Sequence, residues 1–251
     1  MKEKGTSMNE LKKAIIKANK HYNLIEKDDK IAVGFSGGVD SFALVEGLHI
    51  LKQIVPFSFD FDLFYMDMKF DDMDITQAMI WCQKKGYPLH IIDTDIANIL
   101  KLHPQNNNKY SCSICSRLKK GIMIQHCKAL NYNKVAFAHH GDDAIETLFL
   151  NMVYGAKLAT FQPRMLLSNQ NMVFVRPLVY VYKDLIENYQ QQYKWPVVAS
   201  TCPNNNNTQR SEMKKLIAQI IHHHPSAKAN LLKSLYNNEQ VDLWKPQHHL
   251  K

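Results

Sequence analysis

The feature of this sequence that most constrains its fold is a repeated alternation between short apolar runs and longer amphipathic segments. Strands are predicted at the short apolar runs Ile31–Phe35, Leu63–Met66, Leu89–Ile92 and Val135–Ala138. Helices are predicted at the segments that separate or follow them, Phe42–Ile54, Met73–Lys85, Ser116–Leu130 and Asp143–Met152. Strands that alternate with helices in this way predict a parallel sheet covered on both faces.

The regions outside this alternation add a fifth strand and further helices. The apolar spacing predicts a helix over 9–22, a strand at Met172–Val175, and helices at Lys183–Gln192 and Gln209–His222. The expected fold is therefore an α/β, doubly wound, mostly parallel five-stranded sheet with an N-terminal helix and a C-terminal helical segment. We expect a helical segment over 1–28, a main domain over 29–200, and a C-terminal segment over 201–251. Two asparagine-rich stretches, 105–108 and 204–207, are predicted loops.

The composition limits the kind of protein and the kind of partner. The 251 residues are 45% hydrophobic and carry a formal charge of +8, which favours a polyanionic partner as much as simple solubility. The sequence shows neither an apolar targeting region nor a stretch of about 20 apolar residues, so we expect a cytoplasmic protein with no membrane partner. The five cysteines, in a large mixed domain, argue against a disulfide scaffold and for metal or catalytic use of some of them.

A glycine turn between the first strand and the next helix has the character of a phosphate-binding loop. Its sequence, GFSGGVDS, begins at residue 34. Gly37 and Gly38 let the backbone approach an anion, and the helix that follows offers free N–H groups. Ser36 and Ser41 can donate hydrogen bonds to phosphate, whereas the carboxylate of Asp40 is suited to Mg²⁺. The loop lacks the lysine of G-x-x-x-x-G-K-[ST], and the sequence contains no G-x-G-x-x-G nicotinamide or flavin motif.

This loop resembles the PP-loop of the ATP pyrophosphatases, which cleave ATP between the α and β phosphates and transfer AMP to a substrate oxygen. The resemblance implies adenylation rather than γ-phosphoryl transfer. Asp67 and Met68 follow the second strand and are expected at the same edge of the sheet, which binds ligands in open α/β folds. The resemblance implies that Met68 contacts adenine through its backbone, and simple core packing is the less favoured alternative.

The segment after the fourth strand, HHGDDAIET from residue 139, is the other half of the predicted nucleotide site. It resembles the second signature of tRNA-modifying PP-loop enzymes. We assign a metal or catalytic role to Asp143 and a phosphate contact to His139, whereas for His140 packing in the core is an equally good explanation. One carboxylate at the start of a helix is also explained by helix capping.

Three cysteines are candidate ligands of an iron–sulfur cluster. Cys112 and Cys115 form a C-x₂-C pair, and Cys202 stands alone 87 residues after Cys115. Three thiolates can hold a cubane in which one iron lacks a protein ligand, and the lysine and arginine after the pair favour the thiolate form. A zinc site or unligated thiols are the alternatives. Cys82 and Cys127 lie in helical patterns and are expected to be buried as small hydrophobic residues.

Several blocks of the sequence resemble the tRNA 2-thiocytidine synthetase family. They are the segment from Tyr110 to Met123, TLFLNM from residue 147 with the Tyr-Gly pair at 154–155, and VRPL from residue 175. The resemblance spans roughly residues 30–205 and implies that Cys112, Cys115 and Cys202 ligate a 4Fe-4S cluster. The chain departs from the family at Val39, where a lysine is usual, and at Pro203, because the later cysteine normally begins a second C-x₂-C.

The resemblance implies ATP-dependent tRNA thiolation, with ATP, Mg²⁺ and a 4Fe-4S cluster as cofactors and a 2-thiocytidine as the expected product. Asp40, Asp143 and the three cysteines are then the expected catalytic residues, with Mg²⁺ on the two carboxylates. The expected partners are tRNA, a cysteine desulfurase or free sulfide as sulfur donor, and a second copy of the chain. Candidate RNA contacts are Arg117, Lys119, Lys120, Arg164 and Arg176, with Tyr110, Tyr154 and Tyr180 as candidates for base stacking.

Three other functions stay open at this point. The first is sulfur transfer to another tRNA base or to a small molecule. The second is lysidine synthesis, which uses the same loop and the same His-His-x-Asp-Asp signature but needs no cysteines. The third is a redox module that binds nucleotide and cluster without catalysis.

Overall fold

A computed structural model describes residues 2–70, 72–103, 110–202 and 208–243. The strands are β1 (Lys30–Gly34), β2 (Asp60–Asp67), β3 (Leu89–Asp93), β4 (Lys134–Ala136), β5 (Arg164–Leu167) and β6 (Met172–Val175). The helices are α1 (Lys2–Tyr22), α2 (Val39–Lys52), α3 (Thr76–Lys85), α4 (Ile96–Leu102), α5 (Cys112–Ala129), α6 (Gly141–Gly155), α7 (Lys183–Tyr193), α8 (Gln209–His223) and α9 (Ala227–Ser234). The asparagine-rich stretches predicted as loops lie outside the described residues.

The strands form one sheet in the order β3-β2-β1-β4-β6-β5, in which all neighbours are parallel except the β6–β5 pair. The α/β, mostly parallel fold is confirmed, but the predicted number of five strands is wrong, because the described residues form six. The additional strand is β5, an antiparallel edge strand whose residues alternate between exposed and half-buried. A four-residue edge strand buries too little apolar surface to produce a clear sequence pattern.

Successive residues of the central strands enter two different hydrophobic clusters on opposite faces of the sheet. Ile31 and Val33 of β1 pack in the larger cluster, together with residues of α1, α2 and α7. Ala32, between them, packs in the second cluster, to which α5 contributes Met123 and Cys127. Side chains of a strand alternate between faces, so this pattern is that of a sheet covered on both sides.

The N-terminal and C-terminal helices pack directly against this core. Helix α1 buries Leu11, Ile15 and Ala18 in the larger cluster, so it shares a core with β1 and α2. Helices α8 and α9 bury Met213, Ile217 and Leu232 against Ile145 of α6. The division at residues 28 and 200 stays a prediction. None of the helices in the described ranges is both long and apolar enough to span a bilayer.

The order of the strands reverses between β1 and β4, which are adjacent and parallel. From β1 the chain moves outwards to β2 and β3, and it then returns to the other side of β1 to form β4. Open α/β sheets bind ligands at the carboxyl ends of the strands at such a point, because the loops that follow the two strands diverge there and leave a crevice.

Candidate active site

A cleft of about 630 Å³ opens at the carboxyl edge of the sheet, beside the point where the strand order reverses. Its walls come from the loop after β1, the end of β2, the segment after β4 and the start of α5. The predicted nucleotide residues and sulfur ligands that line it are Ser36, Met68, His139, Cys112, Cys115 and Cys202. Part of the candidate nucleotide site and all three candidate sulfur ligands therefore share one cleft, whereas its lining does not include Gly37, Gly38, Asp40, Ser41, Asp67 and Asp143.

The phosphate loop owes its shape to one glycine in the left-handed region. Gly37 has a φ of +73°, and a Cβ at this position would lie 2.6 Å from Cγ2 of Val198. The backbone N–H of Val198 donates a hydrogen bond of 2.9 Å to the carbonyl of Gly37. Gly38 has an ordinary φ of −75° and precedes α2 without a side-chain cap. Positive φ is thus required at Gly37 only, and the first N–H groups of α2 are left for a ligand.

The two serines of the loop have different surroundings. Ser36 is exposed and lines the cleft, and its Oγ accepts a hydrogen bond of 3.2 Å from the N–H of Gly38. Ser41 is buried, and its hydroxyl donates to the carbonyl of Gly38 at 2.7 Å. The hydroxyl of Ser36 is therefore available to a ligand in the cleft, whereas that of Ser41 closes the first turn of α2.

Asp40 forms a close ion pair with a lysine from another element. The Nζ of Lys183, the first residue of α7, lies 2.6 Å from Oδ1 of Asp40. Nε2 of His140 lies 3.8 Å from the same oxygen. His140 is 5% exposed, as expected for a packed core histidine. A divalent cation at Asp40 would compete with Lys183 for this carboxylate.

The two aspartates at the start of α6 have separate contacts. Oδ2 of Asp143 accepts a hydrogen bond of 3.0 Å from the N–H of His140 and thereby caps the helix, while its Oδ1 lies 3.5 Å from NH1 of Arg210. Asp142 accepts from the N–H of Lys183 at 2.8 Å and pairs with Lys228 at 2.9 Å. The capping explanation thus applies to Asp143, whose remaining oxygen is held by an arginine.

His139, which is half-buried, and Arg176, which is buried, place nitrogen-bearing side chains in the wall of the cleft. Burial, with a further contribution from Arg176, lowers the pKa of His139 from 6.5 to about 4, so its ring is neutral at pH 7. Arg176 is 3% exposed, and burial lowers its pKa to about 10, which leaves it charged. Within the described residues, His139 Nδ1 and Arg176 Nε are buried without a hydrogen-bond partner. Such groups are costly unless a ligand or water completes them.

Asp67 is the last residue of β2 and Met68 follows the strand, but the two residues have different surroundings. Asp67 accepts two hydrogen bonds of 2.9 Å from Lys69; burial raises the pKa of this carboxyl, but these bonds outweigh it and the net pKa is lowered. Met68 is 5% exposed, packs against Ile96 and Leu100, and also lines the cleft. Met68 therefore serves the core and the cleft wall at once, whereas Asp67 does not line the cleft.

Helix α5 begins at Cys112, four residues before its predicted start at Ser116, and the C-x₂-C pair lies in its first turn. Ser111 precedes the helix, and its Oγ accepts a hydrogen bond of 3.4 Å from the N–H of Ile114. Positions three apart on a helix share a face, so Cys112 and Cys115 point the same way. Among the described residues, no group of three or more His, Cys, Asp or Glu side chains is arranged to hold a metal ion.

The Cys115 thiol is affected by burial and by the charged groups around it. Burial raises the pKa of the Cys115 thiol, and negative charge on Cys202 and on Cys112 raises it further. Lys119 lowers this pKa, as expected for a cation beside a thiol, but burial outweighs it. Cys82 and Cys127 are buried elsewhere, as predicted, and burial raises their pKa values to about 11 and about 12.

Comparison with known proteins identifies the family. A model of the PP-loop domain matches residues 7–229. A tRNA-cytidine(32) 2-sulfurtransferase from Geobacter sulfurreducens is 33% identical over 90% of this chain and 89% of its own length, and one from Geotalea uraniireducens is 35% identical over 90% of both. This chain belongs to the tRNA-cytidine(32) 2-sulfurtransferase family of PP-loop proteins. The resemblance inferred from the sequence is thereby confirmed.

The fold of this family member is shared with a more distant solved structure. The U34-tRNA thiolase NcsA from Methanococcus maripaludis, solved with its [4Fe-4S] cluster, superimposes with a TM-score of 0.75. The match covers 95% of this chain and 81% of that one at 17% sequence identity. At this identity the likeness concerns the fold, which it confirms.

The predicted RNA contacts of this family member fall into different environments. Lys119 and Lys120 are exposed and line the cleft, and Arg117 is exposed on the same helix. Arg164 lies outside the cleft lining, with its NH2 3.5 Å from the carboxylate of Glu26. Arg176 is buried in the cleft wall, where its guanidinium carbon lies 4.8 Å from the ring centre of Phe161. Their role in RNA binding stays a prediction.

Arg210 and Lys183 were not expected beside the acidic residues of the predicted site. NH1 of Arg210 lies 3.3 Å from the carboxylate of Glu146, and its NH2 donates to the hydroxyl of Thr147 at 3.3 Å. Burial raises the pKa of Glu146, and the nearby Asp143 adds to the rise. Arg210 lines the cleft from the start of α8. Neither Arg210 nor Lys183 belongs to a local motif. Only the tertiary structure reveals that they contact the carboxylates of Asp143 and Asp40.

Proposed function

We propose that this chain is an ATP-dependent tRNA sulfurtransferase that converts a cytidine of tRNA to 2-thiocytidine. The observation that carries this proposal is the single cleft that the phosphate loop and three cysteines line together. Activation of a base and delivery of sulfur must occur at the same carbon atom, so the two sets of groups have to face one space. The names of the 33–35% identical relatives support the same substrate.

In the first step, ATP binds with its phosphates at Ser36, Gly37 and Gly38, where the N-terminus of α2 supplies N–H donors. The O2 atom of the cytidine attacks the α-phosphorus, the bond to the bridging oxygen breaks, and pyrophosphate leaves. Asp40 and Asp143 are the proposed Mg²⁺ ligands, and Lys183 and Arg210 neutralise these carboxylates until the metal binds. Their pairing in the structure, at 2.6 and 3.5 Å, supports this exchange.

Arg176 and His139 are proposed to stabilise the charge that develops at the α-phosphate. Both side chains line the cleft, and Nε of Arg176 and Nδ1 of His139 have no hydrogen-bond partner within the described residues. A buried cation acts strongly on a nearby charge because little water screens it. The low pKa of His139, about 4, keeps its ring neutral, so that it can offer one N–H donor without adding charge.

Cys112, Cys115 and Cys202 are the proposed ligands of a 4Fe-4S cluster. Their chemistry fits this group, because three sulfur donors line one cleft, although the described side chains are not already arranged around a metal position. When bound, a three-cysteine cluster would supply one iron without a protein ligand to hold sulfide, which would replace the adenylated oxygen at C2, so that the C–O bond breaks and AMP leaves. The proposed sulfur source is a cysteine desulfurase or free sulfide, and a homodimer and a cytoplasmic location stay predictions.

The proposal is tested with protein purified without oxygen. We expect about four iron and four sulfide per chain, pyrophosphate release that depends on tRNA, and 2-thiocytidine by nucleoside mass spectrometry. Cys115→Ser should abolish the thionucleoside, whereas the matched variant Cys82→Ala should retain it, because Cys82 is buried outside the cleft. A thionucleoside formed at the normal rate by Cys115→Ser would contradict the cysteine assignment.

The same measurements separate the alternatives. A colourless protein that forms lysidine would replace sulfur transfer with lysidine synthesis. A thiolated product at another base or on a small molecule would keep the mechanism and change the substrate. Bound cluster and nucleotide without any tRNA-dependent pyrophosphate release would show a non-catalytic module.

A further inference from the structure

A second concave surface lies between the N-terminal and C-terminal helices, outside the proposed active site. We call it the α1–α9 groove. It has a volume of about 380 Å³ and is lined mainly by three lysines and three tyrosines, Lys13, Lys17, Lys233, Tyr180, Tyr182 and Tyr236. No carboxylate lines it among the described residues.

The lysines of the α1–α9 groove lack the ion pairs that Lys183 and Lys228 form with aspartates. Lys13, Lys17 and Lys233 are exposed, and none of them forms an ion pair within the described ranges. By contrast, Lys183 and Lys228 are paired with aspartates at 2.6 and 2.8–2.9 Å. The groove therefore presents uncompensated positive charge to its surroundings, which is the electrostatic complement of a polyanion.

The tyrosines give this charged surface flat aromatic walls. Nζ of Lys17 lies 4.5 Å from the ring centre of Tyr180 and 5.3 Å from that of Tyr236. The two rings meet edge to face with their centres 5.3 Å apart. The hydroxyl of Tyr180 is held by Tyr22 at 2.8 Å and by His21 at 3.1 Å. A fixed ring beside a lysine can stack on a base while the lysine contacts the phosphate.

The α1–α9 groove is connected to the active-site cleft through shared walls. A smaller cavity of about 190 Å³ lies between them. It shares Tyr180, Leu232 and Tyr236 with the groove, and it shares Phe161 with the cleft. Phe161 also contacts Arg176 and His139, with 4.8 Å to the guanidinium carbon and 5.1 Å between ring centres. The groove, the small cavity and the cleft are therefore neighbours, and Phe161 forms the wall that the small cavity and the cleft have in common.

From these contacts we infer that the α1–α9 groove is an RNA-docking surface, which binds the backbone and an unpaired base of the tRNA outside the nucleotide that reacts. Lys13, Lys17 and Lys233 contact phosphates, and Tyr180 and Tyr236 stack on the base. This inference rests on the proposed function for the identity of the RNA. It adds a binding site that is separate from the nucleotide and sulfur groups of the cleft.

The test compares two double charge reversals in the full-length protein. Lys13→Glu with Lys17→Glu changes the groove, and Lys30→Glu with Lys84→Glu makes the same change in charge at exposed lysines outside the groove. Dissociation constants for unmodified tRNA are measured by fluorescence anisotropy over a range of salt concentrations. We expect the groove variant to lose affinity about tenfold or more, and the slope of log affinity against log salt to shrink by about 1.5, because two phosphate contacts are lost.

A second variant tests the aromatic part of the groove. Tyr236→Ala should lower tRNA affinity about fivefold or more while leaving the salt slope unchanged, because stacking releases no counterions. ATP affinity and iron content should match the wild type in every variant, and circular dichroism melts show whether each variant is folded.

The outcomes separate the docking surface from the proposed function. Wild-type protein that binds no tRNA would overturn both. Wild-type protein that binds tRNA, together with a groove variant no weaker than its charge-matched control, would overturn the docking surface alone. An equal loss of tRNA affinity in both double variants would also overturn the docking surface, since the change in net charge alone would then explain the loss.

Discussion

Buried charged groups lie at both ends of the central strands, but the two ends differ in whether these groups have hydrogen-bond and ion-pair partners. At the amino end, the side chain of Lys134 is 3% exposed and its Nζ contacts the carboxylates of Asp29 and Glu26 at 2.7 and 2.8 Å and the carbonyl of Leu24 at 3.1 Å. Asp29 in turn accepts hydrogen bonds from Asn133, at 2.8 Å, and from the N–H of Glu26. Each charged group of this network has partners within the chain.

At the carboxyl end, the buried groups are left incomplete. Nε of Arg176 and Nδ1 of His139 have no hydrogen-bond partner among the described residues, although both are buried. Native proteins rarely leave such atoms unpaired, since each costs about 1–3 kcal/mol. The difference teaches that one end of the sheet is built for stability, whereas the other holds its polar groups for a ligand.

The largest expected effect on stability comes from breaking the network of Lys134, Asp29 and Glu26. Lys134→Met should lower the free energy of unfolding by about 3–5 kcal/mol, because it leaves the carboxylate of Asp29 buried without a counter-charge. The double variant that adds Asp29→Asn should recover part of this loss. Urea unfolding measures the free energy of unfolding of the single and the double variant. Turnover per folded molecule should be unchanged, and a Lys134→Met protein of wild-type stability would remove the basis for the comparison.

A smaller effect of a different kind is expected at Arg176. Arg176→Met should lower kcat/KM for tRNA-dependent pyrophosphate release about 100-fold, because it removes a charge that faces the reacting phosphate. Its free energy of unfolding should stay the same or rise by about 1 kcal/mol, since an incompletely bonded buried cation is removed. Arg164→Met is the matched control, because Arg164 lies outside the cleft lining. Strong destabilisation with full activity in Arg176→Met would assign Arg176 to structure instead.

The smallest expected effect is a pH dependence of stability at His139. Its pKa is about 4 in the folded chain and about 6.5 when unfolded, so between these values the unfolded chain binds a proton that the folded chain does not. Stability should therefore fall as the pH drops from 7 to 5, with His139 contributing about 2 kcal/mol of this fall. His139→Gln should lack that contribution in urea unfolding at both pH values. Identical pH dependence in the two proteins would show that the ring is not held neutral by burial.

Much of the fold could be predicted because the central strands are buried on both faces and appear as continuous apolar runs. The additional strand β5 escaped prediction because Arg164–Leu167 alternates at an edge and buries little. Helix α4 escaped for a related reason, since Ile96–Leu102 is a seven-residue helix with no side-chain cap. Helix α5 begins at Cys112 because Ser111 caps it, a signal that the cysteine motif obscured.

The candidate site could be predicted only where its residues belong to local motifs. Ser36, His139 and the C-x₂-C pair were found because each sits in a short pattern with a chemical meaning, and the cleft brings them together. Lys183 and Arg210 were not found, because a single cation at the start of a helix has no local signature. Their meeting with Asp40 and Asp143 depends on how α7 and α8 pack, which is decided by contacts distant in sequence.

The contact between Gly37 and Val198 ties the phosphate loop to the segment that carries Cys202. The N–H of Val198 donates a backbone hydrogen bond of 2.9 Å to the carbonyl of Gly37, and Val198 lies only four residues before Cys202. A larger side chain at position 37 would collide with Val198, so the shape of the loop and the path of this segment depend on each other. If Cys202 ligates a cluster as proposed, we expect nucleotide binding at the loop to alter the surroundings of that ligand.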